Sequence, residues 1–339
     1  MTYLNCLPDH IAHFIRTRHV CEFATMTKAG VPIDSPLVPF TSENLETIDS
    51  ATGLAYPAKA DRVRRNPRIG MLFEGARGEP VVSISALGEV RDRDFQANLE
   101  RYLSEQILTP AISPAVVDYP SLTYQAIWYF TRIIMHAKPV IVRWWDDAAA
   151  LDGPPHEWRA PIGSVHVNSD PAPSGAPSKS PWEPVPSWRD LAQRALGRHA
   201  AAHLTLVDSE GFPLPIRARS VRLADDGLEL TMPGWLPWRA GKATVSFEGI
   251  ETLVGQAEVD GPTARFRAER QLPMHPLISE PEQLLRPTDA TKKALLDRID
   301  HELSRRGITE RPAMPSIPPE PTAGARLRAA SAVDFQIAS

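Results

Sequence analysis

Apolar and polar positions keep changing period along the first 150 residues. "FATM" at Phe23 and "VPIDSPLVPF" at Val31 are short strand-like runs on either side of "TKAG". That charged turn is closed by Gly30, and Pro32 opens the second run, a pattern that predicts a β-hairpin. "RIGMLFEG" from Arg68 and "PVVSISALGEVRD" from Pro80 alternate as further strands, and "IWYFTRIIMHAKPVIVRWW", Ile127 to Trp145, returns to strand-like composition near the domain's last edge. Between them the period shifts to that of a helix. "DFQANLERYLSEQI", Asp94 to Ile107, predicts a helix that buries Phe95, Leu99, Tyr102, Leu103 and Ile107 on one stripe. A short helix is predicted over Ala58 to Arg65, with Pro57 in its first turn and Asn66-Pro67 ending it. Near the C-terminus "DATKKALLDRIDHELSRRG" predicts an amphipathic helix closed by Gly307.

The strand pattern recurs. "FATMTKAGVPIDSPLVPF" from Phe23 lies on "LTLVDSEGFPLPIRARSV" from Leu204, so that Gly30 meets Gly211 and Pro32 meets Pro213 at a separation of 181 residues. "RIGMLFEG" lies on "KATVSFEG", and Phe73, Glu74 and Gly75 meet Phe247, Glu248 and Gly249 at a separation of 174. The second copy is therefore seven residues shorter, and the loss falls where the first copy carries "DSATGLAYPAKADRVRRNP", placed between the third and fourth strands. The expected fold class is mainly β with flanking helices, a duplicated β-domain in which only the first copy has the basic helix.

Composition sets the boundaries. Proline makes up 34 of 339 residues, about twice the usual share. Much of it lies in Asp152 to Trp188, which has no lasting period and reads as an extended connector. The expected organisation is a first domain over 1–150, a linker over 151–187, a second domain with its C-terminal helix over 188–310, and an extended tail over 311–339. A net charge of -4 implies no bulk attraction to nucleic acid or to an anionic membrane. Cys6 and Cys21 are expected to be free thiols in a reducing compartment, and no apolar run is long enough for a membrane helix, so the expected location is the cytoplasm. No P-loop, dinucleotide fingerprint or nucleophile elbow is present. No metal site is expected: "HAAAH", with His199 and His203, lacks the glutamate of a metalloprotease motif and runs into a strand at Leu204.

The basic cluster Lys59, Arg62, Arg64, Arg65 and Arg68 carries the candidate chemistry. Lys59 and Arg62 are three apart and share a helix face near its start, where charge and free backbone amides together suit a phosphate. Arg64, Arg65 and Arg68 are expected to be solvated or paired with acids. The order "FATMTKAGVPIDSPLVPF", "KADRVRRNPRIGMLFEG", "GEPVVSISALGEVRDRD" resembles the pyridoxamine 5'-phosphate oxidase-like family of FMN-binding split barrels over about residues 10–147, and the second half resembles a divergent copy. The strongest element is the lysine eight residues before the proline of "RNPR", which here is Lys59 before Pro67.

The resemblance implies a duplicated split β-barrel and an FMN whose phosphate is held by Lys59 with help from neighbouring loop and strand residues, while the shared helix face adds Arg62. It implies that Ser35, Pro36, Leu37 and Val38 run along the flavin, that Ile48, Asp49 and Ser50 lie near the phosphate and ribityl chain, and that the strand beginning at Val82 and Ser83 flanks the ring. The family's substrate-holding "RxH" element is absent from both halves, which argues against the vitamer reaction. The expectation is a flavin-dependent oxidoreductase acting on a small organic substrate, with NAD(P)H as a candidate electron donor. The same shape also accommodates an F420-dependent reductase or a non-catalytic flavin- or haem-binding protein. The two barrels are expected to pair within the chain as a pseudo-dimer, or two chains to pair as a homodimer. No acid or base declares itself: His10, His13, His19, His136, His199 and His203 are candidates only because histidine titrates near neutrality. Trp235 and Trp238, in the shortened loop of the second copy, are placed either to cap an aromatic ring or to fill the core.

Overall fold

A computed structural model describes residues 6–42, 46–75, 78–109, 127–178, 186–273 and 288–337. After helix α1 (Asp9–Thr17), the first sheet contains β1 (Cys21–Met26), β2 (Pro32–Leu37), β3 (Phe40–Thr41), β4 (Ile48–Gly53), β5 (Arg68–Glu74), β6 (Val81–Arg91), β7 (Arg132–Trp145) and β8 (His156–Arg159). Helix α2 (Ala58–Arg65) separates β4 from β5, and α3 (Phe95–Gln106) and α4 (Ile127–Phe130) lie between β6 and β7. The second half holds α5 (Trp188–Gly197), β9 (Ala202–Val207), β10 (Pro213–Arg217), β11 (Ser220–Leu223), β12 (Gly227–Thr231), β13 (Ala240–Phe247), β14 (Glu251–Asp260) and β15 (Thr263–Gln271), followed by α6 (Asp289–Arg305) and α7 (Ala323–Ile337).

The strand order is β2-β1-β5-β6-β7-β4-β3 in one sheet, with β8 on β7, and β10-β9-β13-β14-β15-β12-β11 in the other. Each strand of the second sheet occupies the place of its counterpart in the first, so the chain is a duplicated split barrel. The first sheet is drawn round on itself where Ser50 Oγ on β4 donates to the Val38 carbonyl just beyond β2 (3.1 Å). The aligned hairpin glycines do the same work in both copies, since Gly30 and Gly211 have φ of 72° and 86°, values that a side chain disfavours. Alternation assigns the faces. Phe23, Ile69, Met71, Phe73, Val82 and Ile84 fill the first barrel, and Leu204, Leu206, Leu214, Val245, Phe247 and Phe266 fill the second.

Several sequence expectations change. The stretch counted as one third strand is two, β3 and β4, so the extra helix lies between the fourth and fifth strands. Ile127–Phe130 is a helical turn that precedes β7 and is not part of it. The C-terminal helix assigned to the second domain crosses back: Leu295, Ile299 and Leu303 of α6 join the core of the first barrel. Arg306, just beyond α6, is held by Asp92 (2.8 Å) and by Glu302 (2.8 Å). The tail expected to be extended carries α7, whose Arg328 is buried against Glu105 (2.6 Å). Its basic and apolar residues read as a surface arm in sequence because its partners lie more than two hundred residues away.

The predicted α3 stripe is buried throughout, from Phe95 to Ile107. Asp94 caps the helix by accepting a hydrogen bond from the Ala97 amide (2.9 Å). Asp94→Ala is expected to cost about 1 kcal/mol of stability, and Asp94→Asn to recover most of it. A matched pair of urea denaturation midpoints checks this, and equal midpoints for the alanine variant and the parent would remove the cap.

The barrels pack through β5 against β10 and β13 against β2, and through β1 against β10 and β9 against β2. Because β13 is the counterpart of β5 and β10 of β2, each contact is made twice with the roles exchanged, as across a two-fold axis. Gly70 on β5 sits so close to Pro213 on β10 that a Cβ on Gly70 would lie 1.6 Å from the proline carbonyl oxygen.

Candidate functional site

Helix α2 forms where the sequence places it, and its buried residues Ala60 and Val63 seal it to the barrel. Its two anion-seeking side chains turn toward the β1–β2 hairpin. Lys59 Nζ donates to Ser35 Oγ on β2 (2.5 Å), and Arg62 Nε donates to Thr25 Oγ1 on β1 (2.7 Å). Neither has a carboxylate within ion-pair distance among the described residues. Burial, reinforced by the Arg62 charge, brings the Lys59 ammonium down to about 7, against the pull of Asp34 and Glu22. Burial and Arg65 bring Arg62 down to about 10. Two desolvated cations side by side are an unfavourable arrangement that an anion would relieve.

Beside them is a cleft of about 250 Å³ lined by Thr27, Pro57, Ala58, Asp61, Arg62, Arg65, Pro177 and Ser178. It combines the first residues of α2 with two guanidinium groups and has room for a phosphate. The other basic residues of the cluster are occupied elsewhere. Arg64 pairs with Asp92 (2.8 Å), and Arg68 reaches across the seam to lie over the Phe212 ring, 5.8 Å from its centre.

The remaining predicted residues divide into groups. Ser35 meets Lys59, and Val38 meets Ser50 across the closing seam of the barrel. Ile48 lies in the first core, while Asp49 is buried against Arg101, with His136 Nε2 at 3.8 Å, and is not paired with Lys59. Val82 points into the barrel core. Ser83 faces the second barrel, beside Leu72, Trp145 and Trp235. Leu37 packs on the first core, and Pro36 is pressed against Gly249 of the other barrel, where an added Cβ would come within 2.2 Å of the proline ring. Lys59, Arg62 and Ser35 are thus brought close to one another, but among the described residues the cleft takes only Arg62 of the predicted residues, and neither Lys59 nor the residues expected around a flavin ring line it.

The large opening is on the other side of the pseudo-two-fold. A cleft of about 920 Å³ between the barrels is lined by Glu74, Gly75, Val81, Ala148, Ala149 and Leu151 from the first half. From the second half come Leu196, His199 to Ala202, Arg217 to Val221, and Pro233. Residues 217–221 are the counterparts of 36–40, so the open cleft occupies in the second barrel the position predicted for the flavin strand in the first. Of the two tryptophans, Trp238 fills the second core, with its Nε1 donating to the Leu214 carbonyl (3.2 Å). Trp235 packs edge-on against Trp145, with ring centres 4.9 Å apart, at the seam between barrels.

Sequence reasoning missed a buried polar cluster between the sheets. His203 Nε2 on β9 lies 2.7 Å from Glu74 Oε2 on β5, and its Nδ1 lies 3.6 Å from Glu22 Oε1 on β1. Asp34 on β2 completes a group in which one ligand atom from each of Glu22, Asp34 and His203 lies within 4.8 Å of the others. Burial, with Asp34 as neighbour, pushes the Glu22 carboxyl up to about 8, and burial pushes Asp34 up to about 7. Burial opposes the charged form of His203, but Glu74 and Glu22 outweigh it and raise the imidazole. Glu22 and Asp34 lie on the face of the β1–β2 hairpin opposite to Phe23 and Ser35, and the second barrel, packed over that face, buries them.

Among the described residues, no helix is long and apolar enough to cross a membrane. No family model and no curated protein matches the chain. Solved structures with a similar fold include a pyridoxamine 5'-phosphate oxidase-related, FMN-binding protein of Nostoc punctiforme, at 18% identity over 46% of this chain and 91% of that one, with a TM-score of 0.34. General stress protein 26 of Bacillus anthracis matches at 12% identity over 45% of this chain and 97% of its own, with a TM-score of 0.31. A haem storage protein of Vibrio cholerae matches at 13% identity over 39% and 89%, with a TM-score of 0.26.

Proposed function

We propose that the chain is a flavin-dependent oxidoreductase in which Lys59 and Arg62 of the first barrel receive the FMN phosphate and a small organic molecule is the substrate. The observation that carries this reading is the pair of half-buried cations on one face of α2, both depressed below their ordinary values and neither with a carboxylate within ion-pair distance among the described residues. A bound flavin would supply the two-electron chemistry through its ring. The protein's own part is to hold and orient it. Lys59 and Arg62 offer charge-assisted hydrogen bonds to phosphate oxygens, Ser35 steadies the ammonium, and the strand through Val38 offers backbone groups alongside.

The absorbance spectrum of the purified protein, with mass analysis of any released ligand, tests this reading. A flavin spectrum with FMN released supports it and justifies turnover assays with and without NAD(P)H. A deazaflavin in its place would assign the F420 chemistry of the same fold, and a protein that binds neither would end the reading.

Affinity should also depend on pH in a defined direction. Lys59 must be protonated to attract phosphate, and in the ligand-free protein it loses its proton around pH 7. The phosphate is a dianion above about pH 6. FMN affinity is therefore expected to be greatest near neutrality and to fall as pH rises beyond it, by up to about tenfold per unit. A fluorescence titration series that stays flat from neutral to alkaline pH would contradict the role of Lys59.

One observation favours a second reading, a non-catalytic binder of flavin or haem. The cleft of about 920 Å³ is large enough for either and carries Arg217 on its wall. Ligand retention sensitive to Arg217→Ala and indifferent to Lys59→Ala, without turnover, would shift the assignment to it.

A further inference from the structure

The group formed by Glu22, Asp34, His203 and Glu74 lies across the β1–β2 hairpin from Ser35 and Lys59, on the outer faces of β1, β2 and β5 where the second barrel covers them. Asp34 is 1% exposed, His203 4% and Glu22 7%. His203 Nδ1, Glu22 Oε2 and both Asp34 oxygens have no hydrogen-bond partner among the described residues. With Nε2–H donated to Glu74, the other ring nitrogen presents a lone pair toward Glu22 Oε1 at 3.6 Å. Lone pairs on Nδ1 and on two carboxylates pointing at one another repel unless something positive lies between them.

We propose that Glu22, Asp34 and His203 form a zinc-class divalent metal site that joins the two barrels, with Glu74 orienting the imidazole. The donor set is one imidazole nitrogen and two carboxylate oxygens, a combination that suits zinc and leaves a fourth position for water. At metal–ligand distances of about 2.0–2.2 Å, tetrahedral ligand atoms stand roughly 3.4 Å apart. The Nδ1–Oε1 separation already meets that spacing, and the outer limit of 4.8 Å within the group closes with small side-chain rotations. A carboxylate bound to the far nitrogen of the histidine is the usual support for such a ligand, since it fixes the tautomer and the ring orientation. Charge agrees as well. Three acids, Glu22, Asp34 and Glu74, gather around His203, and among the described residues neither Lys59 nor Arg217 comes within ion-pair distance of them, so a divalent ion would supply the missing positive charge. Glu74 also lines the large inter-barrel cleft, which gives an ion a way in.

The site takes its ligands from both halves of the chain, two from the first barrel and one from the second, so an ion bound there is a cross-link between them. The test uses the full-length chain stripped with a chelator and titrated with Zn²⁺ by calorimetry, with thermal unfolding followed in parallel. The expected result is one ion per chain, a higher unfolding temperature with Zn²⁺, and at least a tenfold loss of affinity in both His203→Ala and Asp34→Asn. Asp34→Asn keeps the side-chain shape and removes a buried charge, so it is expected to fold without metal and serves as the check if His203→Ala does not. Absence of saturable binding by the parent, or an Asp34→Asn isotherm matching that of the parent, would overturn the site and leave a proton shared between the two carboxyls in its place.

Discussion

Gly70→Ala is expected to destabilise the protein by about 3 kcal/mol, because overpacking a contact with no slack forces backbone to move. The added methyl carbon would lie 1.6 Å from the Pro213 carbonyl oxygen and 2.8 Å from its carbonyl carbon, and both atoms belong to the opposite barrel. Neither can rotate away as a side-chain end would, so the β5–β10 contact must separate. A second close approach between the barrels lies just beyond β13, where a Cβ on Gly249 would come within 2.2 Å of the Pro36 ring on β2. Gly197, at the end of α5, is the matched control. A Cβ there meets nothing within 4 Å, and its φ lies outside the left-handed region. Gly197→Ala should be neutral or slightly stabilising. Denaturant unfolding of the two variants side by side decides the matter, and equal midpoints would show that the barrels do not depend on close approach at Gly70.

Lys59→Ala is expected to weaken FMN binding by about 2 kcal/mol, roughly thirtyfold, since it removes a charge-assisted contact from a buried dianion. The same change should leave the free protein no less stable, because the ammonium it removes is desolvated and, among the described residues, hydrogen-bonded only to Ser35 Oγ. That divergence between ligand affinity and fold stability separates a phosphate clamp from a structural lysine. Arg68→Ala provides the comparison, since its guanidinium lies over Phe212 and away from α2, and FMN affinity should be unaffected. Fluorescence titration reads both. Equal FMN affinity in Lys59→Ala and the parent would dismiss the clamp, whatever the spectrum of the purified protein.

The metal proposal and the flavin proposal stand on opposite faces of the same hairpin. Ser35, paired across from Phe23, turns inward to Lys59, whereas Asp34, paired across from Ala24, turns outward to the second barrel. One residue along the strand separates a side chain that steadies a cation from one that awaits one. A single register slip of β2 on β1 would exchange the two roles.

The sequence by itself determined the parts that depend on neighbours along the chain. The turns at Gly30 and Gly211, the helix over Ala58 to Arg65, the buried stripe of α3 and the end of α6 at Gly307 all follow from short-range period and turn chemistry, which the alignment of the two halves repeats. The helix that distinguishes the two halves was visible as a difference of seven residues. Tertiary structure alone decided where side chains meet. It turned Lys59 inward onto Ser35, returned α6 to the first barrel through Arg306 and Asp92, and buried Glu22 and Asp34 beneath a histidine from the other half. It also left the open cleft at Arg217 to Val221 and closed the counterpart at Pro36 against Gly249. Those outcomes depend on how two curled sheets face one another across a pseudo-two-fold. An alternating pattern states that a strand has two faces, and only the packing of one barrel on the other settles which of them meets water.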